Sequence, residues 1–575
     1  MPKRKPPSIE ESSDLRTQDV VPSRPCKRLR IANAAYNPPP RDILTKISSE
    51  ILLRILSFLS SSELLDISPT SHRLYRLASD PHLWREHYYE RFVLPRALRI
   101  PGFRLGGAGG TKLQYSARRA VWADGRKGRA PDDEFLKESS GSESESVDWK
   151  RQYKLRHNWA RGKCAVEEVS VRDAPDGSDG QKKTLVKVIE GIAITADSES
   201  GLRAWDLRTR RPIAQLDLCE GDESDDTVPT SLAVDESGSA TAVDIIVGFA
   251  DGGFGLWRLN LQQHELMRRY RHEKSCNGEV VAVAQGHPYV LTATAAGLIS
   301  LYTFNRPAAE STDDLTNNAN MTSEPLSYGA VKQKSERRKK STTLPPPYLL
   351  TSLKSHTTHL PLALSIRRMS SSVSASIAYT FPVRDGWCIG VQDLLITPSP
   401  DNTIVDKLTS RLASTLPIAA SGGGVDSIRT SRSRSELMTL CYSHPYLLAT
   451  LPDNTLVLYL CTSTATSLSL SSGIRLWGHT SGISDAEITP RGKAVSISTR
   501  GDEIRVWELE GRVGGSSIEV RPTTRQPADD ADSPTTAPRA EWEDRRNWVG
   551  FDDEMVIVLK EARDGRESLM VYDFT

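Results

Sequence analysis

The chain has 575 residues, 74 Lys+Arg against 73 Asp+Glu, a formal net charge of +1 and 38% hydrophobic residues. That length exceeds one compact core, so two or more domains are expected, or one large repeat fold with a smaller domain. The balanced charge supplies no global field toward nucleic acid or an anionic membrane, and the modest apolar content fits folded parts separated by polar inserts.

Residues 1–40 are rich in Pro, Ser and charge with no apolar period, and read as a disordered basic tail. Two basic clusters there, "MPKRKPPSIE" and "RPCKRLR", fit either a nuclear import signal or a solvated tail. No apolar leader is visible, and no run approaches the roughly 18 apolar residues of a membrane span. Residues 41–100 read as helices. Residues 101–148 hold "PGFRLGGAGG" and "KESSGSESESVD" and read as a flexible Gly/Ser/acidic linker; the glycines lack the G-K-[ST] ending of a phosphate loop. Its acid-flanked serines suit an acidophilic kinase or plain linker. A short linker helix, "WKRQYKLRHNWARGK", is expected over 149–163.

From Cys164 the texture becomes short β-branched runs between Gly, Asp, Asn and Ser turns, an all-β signal. The chain also repeats itself. "GIAITADSESGLRAWDLRTRRPIA" from Gly191 and "GHTSGISDAEITPRGKAVSISTRGDEIRVWELEG" from Gly478 share a strand, an acidic/Gly turn and a strand ending in Trp plus an acid. Seven such strands align on Trp205, Trp257, Tyr302, Val391, Tyr459, Trp507 and Tyr572, with valine in the aromatic place of the fourth. Several spacings are roughly 45–50 residues, one propeller blade. The longer gaps contain polar stretches at 306–345, 399–435 and 514–540, read as disordered insertions between strands. A degenerate β-propeller of seven blades is therefore expected over 164–575, giving an α plus all-β multidomain chain. Thr575 follows directly on the seventh aromatic strand, so "CAVEEVSV" from Cys164 is expected to supply the missing outer strand and close the ring.

The helical segment poses a different problem. Ile51, Ile55, Phe58 and Leu59 recur at i, i+4, i+7 and i+8, and Leu52 and Leu56 fall beside them. That stripe is too wide for one small core. Glu50 suits the first turn. A second helix carries Leu64, Leu65 and Ile67, and a third is expected to start at Ser68-Pro69. Three short helices are a small core, so the surplus apolar face either docks on a partner or packs on the linker helix or propeller.

"ISSEILLRILSFLSSSELLDISPTSHRLYRLASDPHLW" resembles an F-box. Ile47, Glu50-Ile51, Ile55-Leu56, Phe58-Leu59, Leu64-Leu65, Thr70-Ser71, Asp80-Pro81 and Leu83-Trp84 carry the likeness. Ser48 and Leu74 depart from it, standing where the family usually has proline and tryptophan. "WKRQYKLRHNWARGKC" resembles the stretch leading into the propeller of F-box/WD-repeat proteins. The resemblance implies a non-catalytic substrate receptor of an SCF-type ubiquitin ligase, in the nucleus or cytoplasm. The F-box would bind a Skp-family adaptor and, through it, cullin and RING subunits. The propeller would hold a protein substrate of unknown identity. Ile47, Glu50, Ile51, Leu52, Ile55, Leu56, Phe58, Leu59, Leu64, Leu65, Thr70, Ser71, Leu83 and Trp84 would form the adaptor contact. A WD-repeat scaffold outside a ligase is the alternative; a propeller enzyme is a weaker third.

In the propeller, the strand aromatics and His479, with Ser496 or Ser498 and Trp507, read as structural; the His479 set resembles that of regular WD blades. Asp251 and Asp453 read as turn acids. Arg203 and Arg505, two residues before Trp205 and Trp507, are candidates for a phosphorylated substrate, though a basic residue is common there in ordinary repeats. His356 and His359 lack a third ligand, and no metal, cofactor, nucleic-acid or membrane partner is expected. Seven scattered cysteines, odd in number and without a C-x-x-C pair, read as reduced thiols.

Overall fold

A computed structural model describes residues 44–97, 148–172, 184–218, 228–235, 241–305, 344–354, 359–369, 372–383, 386–398, 405–417, 439–464, 466–509, 517–522, 547–561 and 566–575. The basic clusters before residue 31, the linker serines, His356 and most of the three insertions lie outside these residues. The chain divides into two units after Ala78.

The first unit holds α1 (Ser49–Leu56), α2 (Ser61–Ile67) and α3 (His72–Ala78). Leu-rich runs without Gly or Pro favour helix. Breaks between them are chemically marked. Ser60 caps α2: its hydroxyl accepts from Glu63 N–H while the Glu63 carboxylate accepts from Ser60 N–H at 2.7 Å. The third helix begins later than its proline suggests. Ser68–Thr70 form a 3-10 turn, closed by Thr70 Oγ1 donating to the Ile67 carbonyl at 2.6 Å, and α3 starts at His72.

The second unit opens with α4 (Pro81–Tyr88) and α5 (Leu94–Ala97), and continues with α6 (Trp149–Arg161). Asp80 and Pro81 supply cap and first residue for α4. Then follow seven sheets among the described residues; five are four-stranded antiparallel meanders in sequence order, the fifth blade adds Ile474–Leu476 beside Leu456–Ser463, and the last blade draws its outer strand from elsewhere in the chain. In that last blade Trp548–Phe551, Met555–Glu561 and Glu567–Asp573 are followed by Lys163–Arg172, with Val166 paired to Tyr572. The ring is closed by the strand before the first repeat, as the sequence implied. Arg521–Pro522 adds in parallel to this strand, Lys163 facing Arg521.

The core sits between blades. Blade 1 packs on blade 2 through Ile194, Leu202, Ile245 and Trp257, and comparable apolar clusters join each later pair around to blade 7 on blade 1. All seven aligned positions fall on third strands. The valine of blade 4 has a physical counterpart. Tyr379 on the neighbouring strand covers Gly390, where an added Cβ would lie 2.5 Å from its ring. The aromatic has moved one strand over.

Two segments read as insertion are strand. Val405–Ser414 is the fourth strand of blade 4, and Ser517–Glu519 that of blade 6. An outermost strand has one solvated side and needs no apolar alternation, so it hides among polar residues.

Candidate docking site

In the first unit the apolar residues divide sharply. Leu52, Leu56 and Leu64 are 3, 4 and 0% exposed and form the seam between helices. Ile51, Ile55, Phe58, Leu65 and Tyr75 are exposed, Phe58 by 76%. The first three recur at i, i+4 and i+7 along α1 and its end, hence on one face. Each would gain about 1.5–3 kcal/mol on being covered. The Arg54 guanidinium lies 5.1 Å from the Phe58 ring centre, the only described cation over it.

This corrects part of the expected contact set. Leu52, Leu56 and Leu64 hold the helices together, because their side chains point into the seam. Ile47 and Leu59 are partly buried, and Glu50, Thr70 and Ser71 are exposed. The Thr70 and Ser71 hydroxyls already bond within their own turns, Ser71 Oγ accepting from Leu74 N–H at 3.1 Å. Sequence reasoning missed Arg73. Its guanidinium donates to the Ile47 carbonyl at 2.5 Å and ties the segment before α1 to α3. A lone arginine in a helix carries no pattern that would have flagged it.

Leu83 and Trp84 are also buried, within the second unit. Trp84 meets Tyr153 of α6 edge-on at 5.2 Å, and Arg91 donates to the Tyr153 hydroxyl at 2.6 Å. Both residues therefore hold α4 against α6 instead of facing a partner. α6 is in turn fixed to the propeller. Trp159 stacks on Phe574 at 3.9 Å and donates to the Asp553 carbonyl at 2.9 Å, Asn158 donates to the Phe574 carbonyl at 2.8 Å, and Lys493 Nζ lies 3.8 Å from the Trp159 ring centre. The helix ends at Gly162 with φ +66°, where an added Cβ would fall 2.1 Å from the Glu519 carbonyl oxygen. Only glycine fits that close approach.

In blade 6 His479 Nε2 lies 2.6 Å from Ser496 Oγ, which accepts from Trp507 Nε1 at 2.8 Å. Ser498 instead donates to Asp502 at 2.9 Å. Burial pulls the His479 imidazole down to about 4 and pushes the Tyr459 and Tyr572 phenols up to about 12. Trp205, Trp257, Trp507, Tyr459 and Tyr572 are buried; Tyr302 is partly so, against Phe254 and His272. Asp251 pairs with Arg271 at 3.0 Å and Asp453 with Arg475 at 2.6 Å.

The two arginines considered for substrate are committed internally. Arg203 is 8% exposed and donates to Asp197 and to the Val171 carbonyl, both at 2.8 Å. Arg505 pairs with Glu503 at 2.6 Å and donates to Ser517 at 2.9 Å. A guanidinium so occupied has little left for a ligand, which corrects that expectation. Among the described residues no group of three or more His, Cys, Asp or Glu is placed to hold a metal.

Comparison with known families now bears on this geometry. The family described as F-box protein pof12 beta-propeller matches residues 164–575, well over half of the chain. The chain belongs to that family. An F-box-like family matches residues 49–90, the segment of α1 to α4. The chain is thus an F-box adaptor-type protein. A comparison with curated proteins returned no match. Among solved structures the chain is similar to the Myceliophteria thermophila Cps50 (Swd1) beta-propeller domain, at 12% identity over 71% of this chain and 100% of that one, TM-score 0.35. It is similar to the RRP9 WD40 repeats at 10% identity, over 71% and 97%, TM-score 0.35. A computationally designed protein, Ika8, shares 16% identity over 68% and 82%, TM-score 0.30. At such identity and superposition these likenesses carry nothing about role.

Proposed function

We propose that this protein is the substrate receptor of an SCF-type ubiquitin ligase. Its F-box docks on a Skp-family adaptor and through it on cullin and RING subunits, and its propeller holds the protein to be ubiquitinated. The observation that carries this reading is the exposed row of Ile51, Ile55 and Phe58 on a three-helix unit whose own core is already filled by Leu52, Leu56 and Leu64. Such a face suits a helix or groove of a second protein. The reading makes the chain non-catalytic. It acts by raising the effective concentration of substrate lysines at the transfer site. The clamp of α6 on blades 6 and 7 supports that role, since a floppy connection lowers effective concentration. A nuclear or cytoplasmic setting belongs to the same proposal.

The test is capture of a Skp-family adaptor by the full chain. Ile51→Asp with Phe58→Asp abolishes capture while leaving the propeller folded, because both side chains are exposed. Undiminished capture by that variant, or none by the parent chain, sinks the reading. Loss of degradation of a bound partner on deleting residues 43–85 supports it further.

A further inference from the structure

Helix α6 has two unlike faces. On the one that meets the propeller each arginine has an acid: Arg151 pairs with Glu554 at 3.0 Å and Arg156 with Glu508 at 3.6 Å. Lys154, His157 and Arg161 recur at i, i+3 and i+7 and so share another face. Arg91, in the turn after α4, joins them there. It donates to the Tyr153 hydroxyl at 2.6 Å, and the Tyr153 ring stacks on His157 with ring centres 6.2 Å apart.

Arg91, Lys154 and Arg161 are exposed, and no acid pairs with them among the described residues. His157 Nδ1 is buried without a hydrogen-bond partner. The acids of neighbouring elements do not answer these charges. Glu519, beside Gly162 at the end of α6, pairs with Arg521 at 3.1 Å. Glu86 and Glu90, on the α4 side, are exposed and pair with none of the cations. Burial, then the charges of Arg91, Arg161 and Lys163, push the His157 imidazole below its ordinary range, and no acid opposes them. Cations gathered without a counter-charge repel one another, so this face favours an anion against it.

The chain carries a matching segment. Asp132, Asp133, Glu134, Glu138, Glu143 and Glu145 stand between residues 131 and 147 with only Lys137 against them, outside the described residues. Where this run ends decides what it can reach: Val147 leads directly into Asp148, the N-cap of α6. From there Arg161 lies about 20 Å along the helix, whereas residues 138–147 span up to about 33 Å when extended. Attachment that close gives the run a millimolar effective concentration, which a free acidic partner does not match. We propose that the acidic run over residues 138–145 folds back along α6 and lies on the face of Lys154, His157 and Arg161, with Arg91 at its side. The contact weakens with salt. A phosphate on any of Ser139, Ser140, Ser142, Ser144 or Ser146 would add about −1.5 to −2 of charge and tighten it.

The test is zero-length carbodiimide cross-linking of the purified full chain, read by peptide mass spectrometry. Lys154 becomes linked to Glu138, Glu143 or Glu145, and NaCl at about 1 M suppresses the link. Arg161→Glu, at an exposed position, leaves Lys154 and every carboxylate of the run in place and lowers the yield roughly fivefold. Exchanging the charges, with Lys154→Glu and Arg161→Glu against Glu143→Lys and Glu145→Lys, restores a link between position 154 and the run, which separates lost attraction from lost folding. The proposal is overturned by an unchanged yield in Arg161→Glu or in high salt, or by equal linkage of the run to Lys154 and to lysines spread over the propeller. It is equally overturned by no link in the charge-exchanged protein, or by links that join two chains in a mixture of isotope-labelled and unlabelled protein.

Discussion

Blades 2 and 6 place a tryptophan at the same register and hold it differently. In blade 6 Trp507 faces Ala494, and Ser496, two residues along, takes its indole N–H. In blade 2 Trp257 faces Ile245, and the residue two along is Val247, so Trp257 Nε1 is buried with no partner. The Trp257 ring lies back over Gly255 on its own strand, whereas blade 6 has Arg505 at that position. Blade 1 follows blade 6: Trp205 faces Ala193 and donates to Thr195 at 3.1 Å. A strand tryptophan is thus not the mark of a polar blade. The mark is a hydroxyl on the second strand, two residues past the tryptophan's partner.

The largest break in this comparison is Gly255→Ala. Its Cβ would sit 2.3 Å from the Trp257 ring, which is fully buried and cannot move aside. Unfolding in urea should show a loss of about 3 kcal/mol, and an unchanged midpoint would remove the account of blade 2. Ser496→Ala comes next. It leaves the Trp507 N–H and His479 facing each other without the shared oxygen, at a cost of about 2 kcal/mol by the same measurement.

A smaller effect follows pH. Burial holds His479 at about 4 in the fold, below the unfolded imidazole near 6.5. Between those values the unfolded chain binds more protons, so stability falls as pH drops through that window. The wild type should lose on the order of 1 kcal/mol more than His479→Asn from pH 6.5 to 5.5. Taking the difference cancels His272, His287 and His444, which burial also holds low. Equal slopes for the two proteins would show that His479 is not a buried neutral member of the network. The smallest change is a gain: Val247→Thr offers Trp257 the hydroxyl that blade 6 has, worth about 0.5–1 kcal/mol. A melting temperature no higher than the parent's would mean the hydroxyl cannot reach the indole.

Legibility in the sequence followed the same logic. Third strands showed through because they are buried on both sides and need aromatic or branched residues at one register, down to Val391 in blade 4. Closure by Lys163–Arg172 was legible because a seventh third strand lacked a fourth. Outer strands such as Val405–Ser414 were not, since half their surface meets water and a polar strand resembles a loop. In the helical unit the periodicity located an apolar excess but not its phase. Ile51 and Leu52 look alike in the sequence, yet one is exposed and the other buried.

The sequence by itself determined the two kinds of module, the number of blades and the strand that closes the ring, because each rests on local periodicity and on a repeat that must bury its faces. Only the tertiary structure decided which residues are free to meet a partner. Arg203 and Arg505 are consumed by acids brought to them by folding. Freedom of a charge is a property of its surroundings, and those are assembled from strands far apart in the chain.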